Sequence, residues 1–116
     1  MHQYERLKVW QRAIDLCRDV YGLSTSLPAD ERFGLTSQMR RAAISIAANI
    51  AEGCAARTER EFRRFLRMAL GSAYELDTHF VVAREIRMLD PHLVSSARSD
   101  LREIRSMIVG LSRAAV

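Results

Sequence analysis

Proline interrupts this chain only at Pro28 and Pro91, and between the interruptions apolar residues return at steps of three and four. That spacing lays side chains along one face of an α-helix and does not fit the two-residue period of a strand. The first stripe spans Tyr4 to Ser24. Leu7, Trp10, Ile14, Cys17 and Tyr21 form it, Ala13, Leu16 and Val20 widen it, and Lys8, Arg12, Asp15, Arg18 and Asp19 oppose it. Pro28 then stops any continuing helix, and Leu27 and Phe33 beside it are expected to plug the end of the core. A second helix is predicted from near Gly34–Thr36 to Glu52, with Gly53 as its left-handed terminator.

Thr58 followed by Glu61 is a capping box. It starts a third helix, from Glu59 to about Leu89, with Phe62, Phe65 or Leu66, Ala69, Ala73, Leu76, Phe80, Ala83 and Ile86 as its apolar line. Gly71 among the small residues Ala69, Ser72 and Ala73 predicts a close helix crossing. Asp90-Pro91, an N-cap residue before a first-turn proline, opens a fourth helix. Leu93, Ala97, Leu101, Ile104, Ile108 and Leu111 line that helix, which ends in a frayed tail at Ala114–Val116. Four helices with short links predict an all-α, antiparallel up-down-up-down four-helix bundle. The 116 residues are enough for one core and not for two, so residues 1–116 read as a single domain.

Several classes of chemistry fall away. Cys17 and Cys54 form no motif, and the charged N-terminus is no export signal, so a reducing cytoplasm is expected. No run approaches the roughly 20 apolar residues of a membrane span. A di-iron bundle needs two Glu-x-x-His pairs, whereas His2, His79 and His92 follow no glutamate at that spacing. Glu75 and His79 lie four apart, but one pair cannot hold a metal alone. With no phosphate loop, no nucleophile elbow and no Cys-His pairing, neither an enzyme nor a cofactor is expected.

Two features remain. The stretch RTEREFRRFLR sets five arginines (Arg57, Arg60, Arg63, Arg64 and Arg67) against two glutamates, in a chain of formal charge +4 whose only lysine is Lys8. Arginine suits bidentate phosphate contacts, although a GC-rich genome gives the same bias. The cluster is a candidate for tracking RNA or DNA phosphates, against the plain alternative of a solvated face with Glu59 and Glu61 partly paired. No base-reading motif accompanies it, so sequence-specific recognition is not expected. The second feature is a polar line, Gln38, Arg41, Ser45, Asn49 and Glu52, which steps along one side of the second helix among alanines. Ser72, Glu75 and His79 step likewise on the third, so Glu75 is placed to face Arg41 or Gln38. The line either fixes helix register within one chain or lies between copies, with Ala43 and Ala47 allowing close approach. The second is preferred, because the apolar stripes already fill one core.

These residues carry a family likeness. The sequence contains L-x-V-W-Q-x-A at Leu7–Ala13 and E-R-F-G-L-T-S-Q-x-R-R-A-x-x-S-I at Glu31–Ile46. N-I-A-E-G follows at Asn49–Gly53, R-T-x-x-E-F-x-x-F-L at Arg57–Leu66, and A-x-G-S-x-x-E-L at Ala69–Leu76. In these motifs it resembles the bacterial four-helix-bundle proteins encoded in intervening sequences of 23S ribosomal RNA genes. The accessory protein of diversity-generating retroelements looks like a relative of that group. The resemblance implies a ring-like homopentamer with a non-enzymatic role. The retroelement relative implies a basic surface that binds nucleic acid and a reverse transcriptase. Ala47-Ala48 stand where many relatives carry Pro-x, which implies an unkinked second helix. Two functions follow as expectations: an oligomeric bundle binding RNA or DNA through arginine faces, or a scaffold whose ring binds a protein partner.

Overall fold

Thr58 and Asp90 cap their helices as expected, although the Glu61 side chain pairs with Arg64 and does not return to Thr58 to complete a capping box. Thr58 Oγ1 accepts a hydrogen bond from the Glu61 amide at 3.1 Å, and an Asp90 carboxylate oxygen accepts from the His92 amide at 2.8 Å. Each satisfies an amide that the first helical turn leaves without a partner. The computed structural model describes residues 2–115. It contains α1 (Lys8–Ser24), α2 (Leu35–Cys54), α3 (Glu59–Glu85) and α4 (Pro91–Ala114), with 3₁₀ turns at Tyr4–Arg6 and Ala29–Glu31. Consecutive helices pack side by side and α4 closes on α1, giving an antiparallel four-helix bundle of 43 × 24 × 20 Å.

The core runs the length of that bundle through Leu16, Met39, Ile46, Ile50, Phe62, Leu66, Leu76, Phe80, Leu101, Ile104 and Ile108, all fully buried. Leu66 rather than Phe65 takes the core position on α3. On α1 the inner row is Val9, Ala13, Leu16 and Val20; Trp10, Ile14 and Cys17 flank it half-buried, and Tyr21 is exposed. On α4, Val94 points inward and Leu93 outward, and Ile86 lies beyond the last inward turn of α3. Leu27 does plug the bundle end. Phe33 does not: it is 86 % exposed, carried outside by the turn at Ala29–Glu31, with the Arg32 guanidinium over its ring.

Glycine behaves differently from the sequence expectation at two sites. Gly53 is not a left-handed cap, because α2 runs through it to Cys54 and no glycine has positive φ. Its role is proximity. A Cβ there would lie 3.0 Å from Phe65 Cβ and 3.2 Å from Phe62 Cδ1, so the absent side chain lets α2 meet the start of α3. The close crossing expected around Gly71 is found, between α3 and α2, but it runs through the neighbours Ala69, Ser72 and Ala73, while Gly71 itself faces open space. The left-handed residue is Arg87, φ 61°, at the end of α3. The Arg87 amide bonds the Arg84 carbonyl and the Met88 amide the Ala83 carbonyl, the paired bonds of a Schellman termination. That stops α3 at Glu85, short of Leu89. At the other terminus, α4 continues through Ala114 and Ala115 is buried, so the frayed tail is not found there; Val116 lies outside the described residues.

Gly53→Ala tests the α2–α3 contact. Alanine gains about 1 kcal/mol of helix propensity, but the Phe65 Cβ is fixed to backbone and the Phe62 ring is fully buried, so neither yields cheaply. Overpacking a tight core costs about 1–3 kcal/mol, so a net loss of up to about 2 kcal/mol in urea unfolding is expected once the propensity gain is subtracted. A gain would show that the helices separate freely at this point.

Candidate nucleic-acid interface

The polar line on α2 is not one continuous network. Its centre closes on α3: Ser45 Oγ lies 2.8 Å from Ser72 Oγ, and the Asn49 amide donates to the Ser45 carbonyl at 2.9 Å and the Ser45 hydroxyl at 3.0 Å. Asn49 is 9 % exposed, so these bonds satisfy a buried amide. The ends of the line face outward. Gln38, Arg41 and Glu52 are exposed and their side chains hold no hydrogen bond among the described residues. Glu75, also exposed, approaches His79 at 3.4 Å rather than Arg41 or Gln38. Ala43 and Ala47 belong to the chain's own core, which removes them as contacts between copies.

The arginines after Gly53 divide by task. Arg64 bonds Glu61 at 2.7 Å and lies over the Phe65 ring, and that contact holds the Glu61 carboxyl below its ordinary range. Arg63 reaches across to donate to the Ala115 carbonyl, capping the C-terminus of α4. Arg57, Arg60 and Arg67 stay exposed and enter no ion pair among the described residues. The solvated-face alternative therefore describes Arg64, and a structural cap describes Arg63; three of the five remain free for a ligand.

The structure supplies further cations that the sequence reading left out. Arg98, Arg102, Arg105 and Arg113 follow one flank of α4, at helical steps that keep them on the side toward α3. Arg98 takes Asp77 in a two-point bridge of 2.8 and 3.2 Å, and this hydrogen bonding is the main cause holding the Asp77 carboxyl low. The other three line a groove of about 400 Å³ between α3 and α4 with Leu70, Tyr74, Ser106, Val109 and Gly110. Steps of three and four put Arg67 on the same flank of α3 as Leu70 and Tyr74. The spacing of the α4 arginines was the available signal; no local run of charge drew attention to it.

Burial pushes the Cys17 and Cys54 thiols up, away from thiolate character. No group of three or more metal-ligating side chains comes together among the described residues. Among the described residues no helix is long and apolar enough to cross a membrane.

A four-helix bundle with arginine rows on two adjacent helices and a short serine–asparagine network at its tightest seam is the class these features define. Residues 5–110 match the model of the 23S rRNA-intervening sequence protein family. The chain belongs to that family. Its fold is similar to that of a protein of unknown function from the S23 ribosomal protein family of Bacteroides thetaiotaomicron. The two align with a TM-score of 0.83 at 22% identity, over 90% of this chain and 97% of the other. No curated protein matches the sequence.

The Arg98–Asp77 bridge joins α3 to α4 beside the groove, and Asp77→Asn is expected to cost about 1–2 kcal/mol near neutral pH, a charge-assisted bond weakened by the partial exposure of both side chains. Because the folded carboxyl is held below its ordinary value of 3.8, the contribution is complete above that pH. It disappears as pH falls through the lower folded value. Urea unfolding of wild type and Asp77→Asn should therefore converge in strong acid. A constant gap down the pH scale would remove the bridge from the account.

Proposed function

We propose that this protein is a non-enzymatic homo-oligomeric bundle that binds the backbone of RNA or DNA through its arginine faces. The observation that carries the reading is the exposed set Arg57, Arg60, Arg67, Arg102 and Arg113, none of which enters an ion pair among the described residues. Free guanidinium groups displace condensed counterions from phosphates, a gain that depends on salt and not on base sequence. The absence of a base-reading motif accords with such binding.

Assembly has support on the opposite flank. The outward side of α2 and α3 exposes Ile44, Met68, Val82 and Ile86, and Ala48 and Gly71 lie among them with little or no side chain. Arg41, Glu52, Arg64 and Glu75 add charge of both signs. A second copy of the chain suits such a surface, since a mixed-charge border can pair with its own kind. We take the assembly to be a ring of five, as the sequence resemblance implies.

Fluorescence anisotropy with labelled RNA and DNA across a salt series tests the first half. Three or more phosphate contacts predict a loss of roughly tenfold or more between about 50 and 200 mM salt. Binding to neither polymer at about 50 mM would leave a protein-binding scaffold as the working function. Light scattering tests the second half. Ala48→Arg is expected to give folded monomers, whereas Ala43→Arg buries a charge and unfolds the bundle. An Ala48→Arg protein of unchanged mass would move the contact off this face.

A further inference from the structure

We infer that the groove between α3 and α4 is a binding track for single-stranded nucleic acid, with a base stacked on Tyr74. This rests on the nucleic-acid reading above and adds to it the form of the polymer and the place it lies. Three observations converge on the groove. Its wall carries Arg102, Arg105 and Arg113, and no carboxylate lines it. Asp77, on the α3 flank beside the groove, is bridged by Arg98, and its carboxylate also lies within charge range of Arg102 and Arg105. An aromatic ring stands in the same place: Tyr74 is 56 % exposed, and the Arg105 guanidinium lies 4.9 Å from the ring centroid, on one face.

A cationic groove beside an accessible aromatic face is what a single strand recognises. Phosphates follow the arginines while a base lies on the ring, and any base will serve because each has a π-face. A duplex keeps its bases paired and stacked and cannot offer one to Tyr74. From Arg102 to Arg113 the helix rises about 16 Å, the length of about five stacked nucleotides at about 3.4 Å each. Arg67, on the same flank of α3 as Tyr74, extends the cationic wall to the facing helix.

The groove is also open rather than collapsed. Gly110 lines it, and a Cβ built at Gly110 meets nothing within 4 Å. The α3 and α4 backbones are held at one end by Arg98 on Asp77 and at the other by Arg63 on the Ala115 carbonyl. An entering strand therefore meets a surface already formed.

The test compares a 12-nucleotide single strand with its duplex on the full-length protein at about 50 mM salt, by fluorescence anisotropy. The single strand is expected to bind more tightly. Tyr74→Ala should weaken it roughly five- to a hundredfold, and Tyr74→Phe should not. Arg102→Ala and Arg113→Ala should each lower the single-strand salt slope by about 0.7. The substituted side chains are solvent-facing, and circular dichroism checks that each variant stays folded. Equal affinity for duplex, or Tyr74→Ala binding as tightly as wild type, overturns the groove while leaving nucleic-acid binding intact. A Tyr74→Ala protein that keeps its affinity but changes mass assigns the groove to contact between copies and overturns it too. Failure of wild type to bind either probe removes both readings.

Discussion

The close approach of α2 to α3 is the contact on which the rest of the bundle depends. Those two helices share the most extensive packing in the fold, and the residues between them are small: Ala42, Ala43, Ala69, Ala73 and Gly53 are buried there or beside it. Small side chains bring backbones together, so the seam has space for a Ser45–Ser72 hydrogen bond and for Asn49 to bond beneath it. A buried asparagine is tolerable only with its bonds made. The same bonds make a slipped register costly, since a shift of one turn would separate the two serines. With that pair fixed, the larger residues Met39, Ile46, Ile50, Phe62 and Phe80 fill the space toward α1 and α4.

Arginine holds the other seams. Arg40 donates to the buried Ser24 hydroxyl at 2.8 Å and lies over Tyr21, tying α2 to α1. Arg12 bonds Glu103 at 2.6 Å between α1 and α4, and Arg98 and Arg63 fasten α3 to α4. The exposed Arg12–Glu103 pair contributes little, about 0–1 kcal/mol, and the part-buried Arg98–Asp77 bridge contributes more. Their long side chains also cover apolar flanks. The basic character of the chain is therefore not a uniform coat, and net charge alone overstates what is free for a ligand.

The fold was legible because its signals are local. Periodicity, Thr58, Asp90 and Pro91 each act within one or two turns, and the four helices stand near their expected bounds. What misled was any residue whose role depends on a distant partner. Gly53 reads as a cap from sequence because glycine often is one, yet its function is set by Phe62 and Phe65, on a different helix. Arg87 holds the left-handed position although its side chain disfavours it, since α3 must turn there for α4 to return. Phe33 and Leu93 are as apolar as core residues, and only the turns preceding them decide that they face out. The site was legible in part for the same reason. The run after Gly53 is conspicuous along the chain, whereas Arg102, Arg105 and Arg113 become a group only when folding sets them opposite Tyr74.

The distribution of fasteners explains why the α3–α4 seam carries an open groove where the α2–α3 seam carries none. Between α2 and α3 small residues close the gap entirely, and such a seam offers no depth. Between α3 and α4 the fasteners sit at the ends, Arg98 with Asp77 and Arg63 with Ala115, and the middle holds Leu70, Tyr74, Val109 and Gly110. Glycine inside a helix costs about 1 kcal/mol against alanine, and at Gly110 no neighbouring atom within the chain accounts for that cost. Filling the middle would stabilise the free bundle; leaving it open keeps a rigid, positively charged channel whose ends are already held. Ordering such a surface on binding costs little, because its helices do not have to move. The arginines that fasten the ends of the groove are thus neighbours of those that enter no ion pair among the described residues.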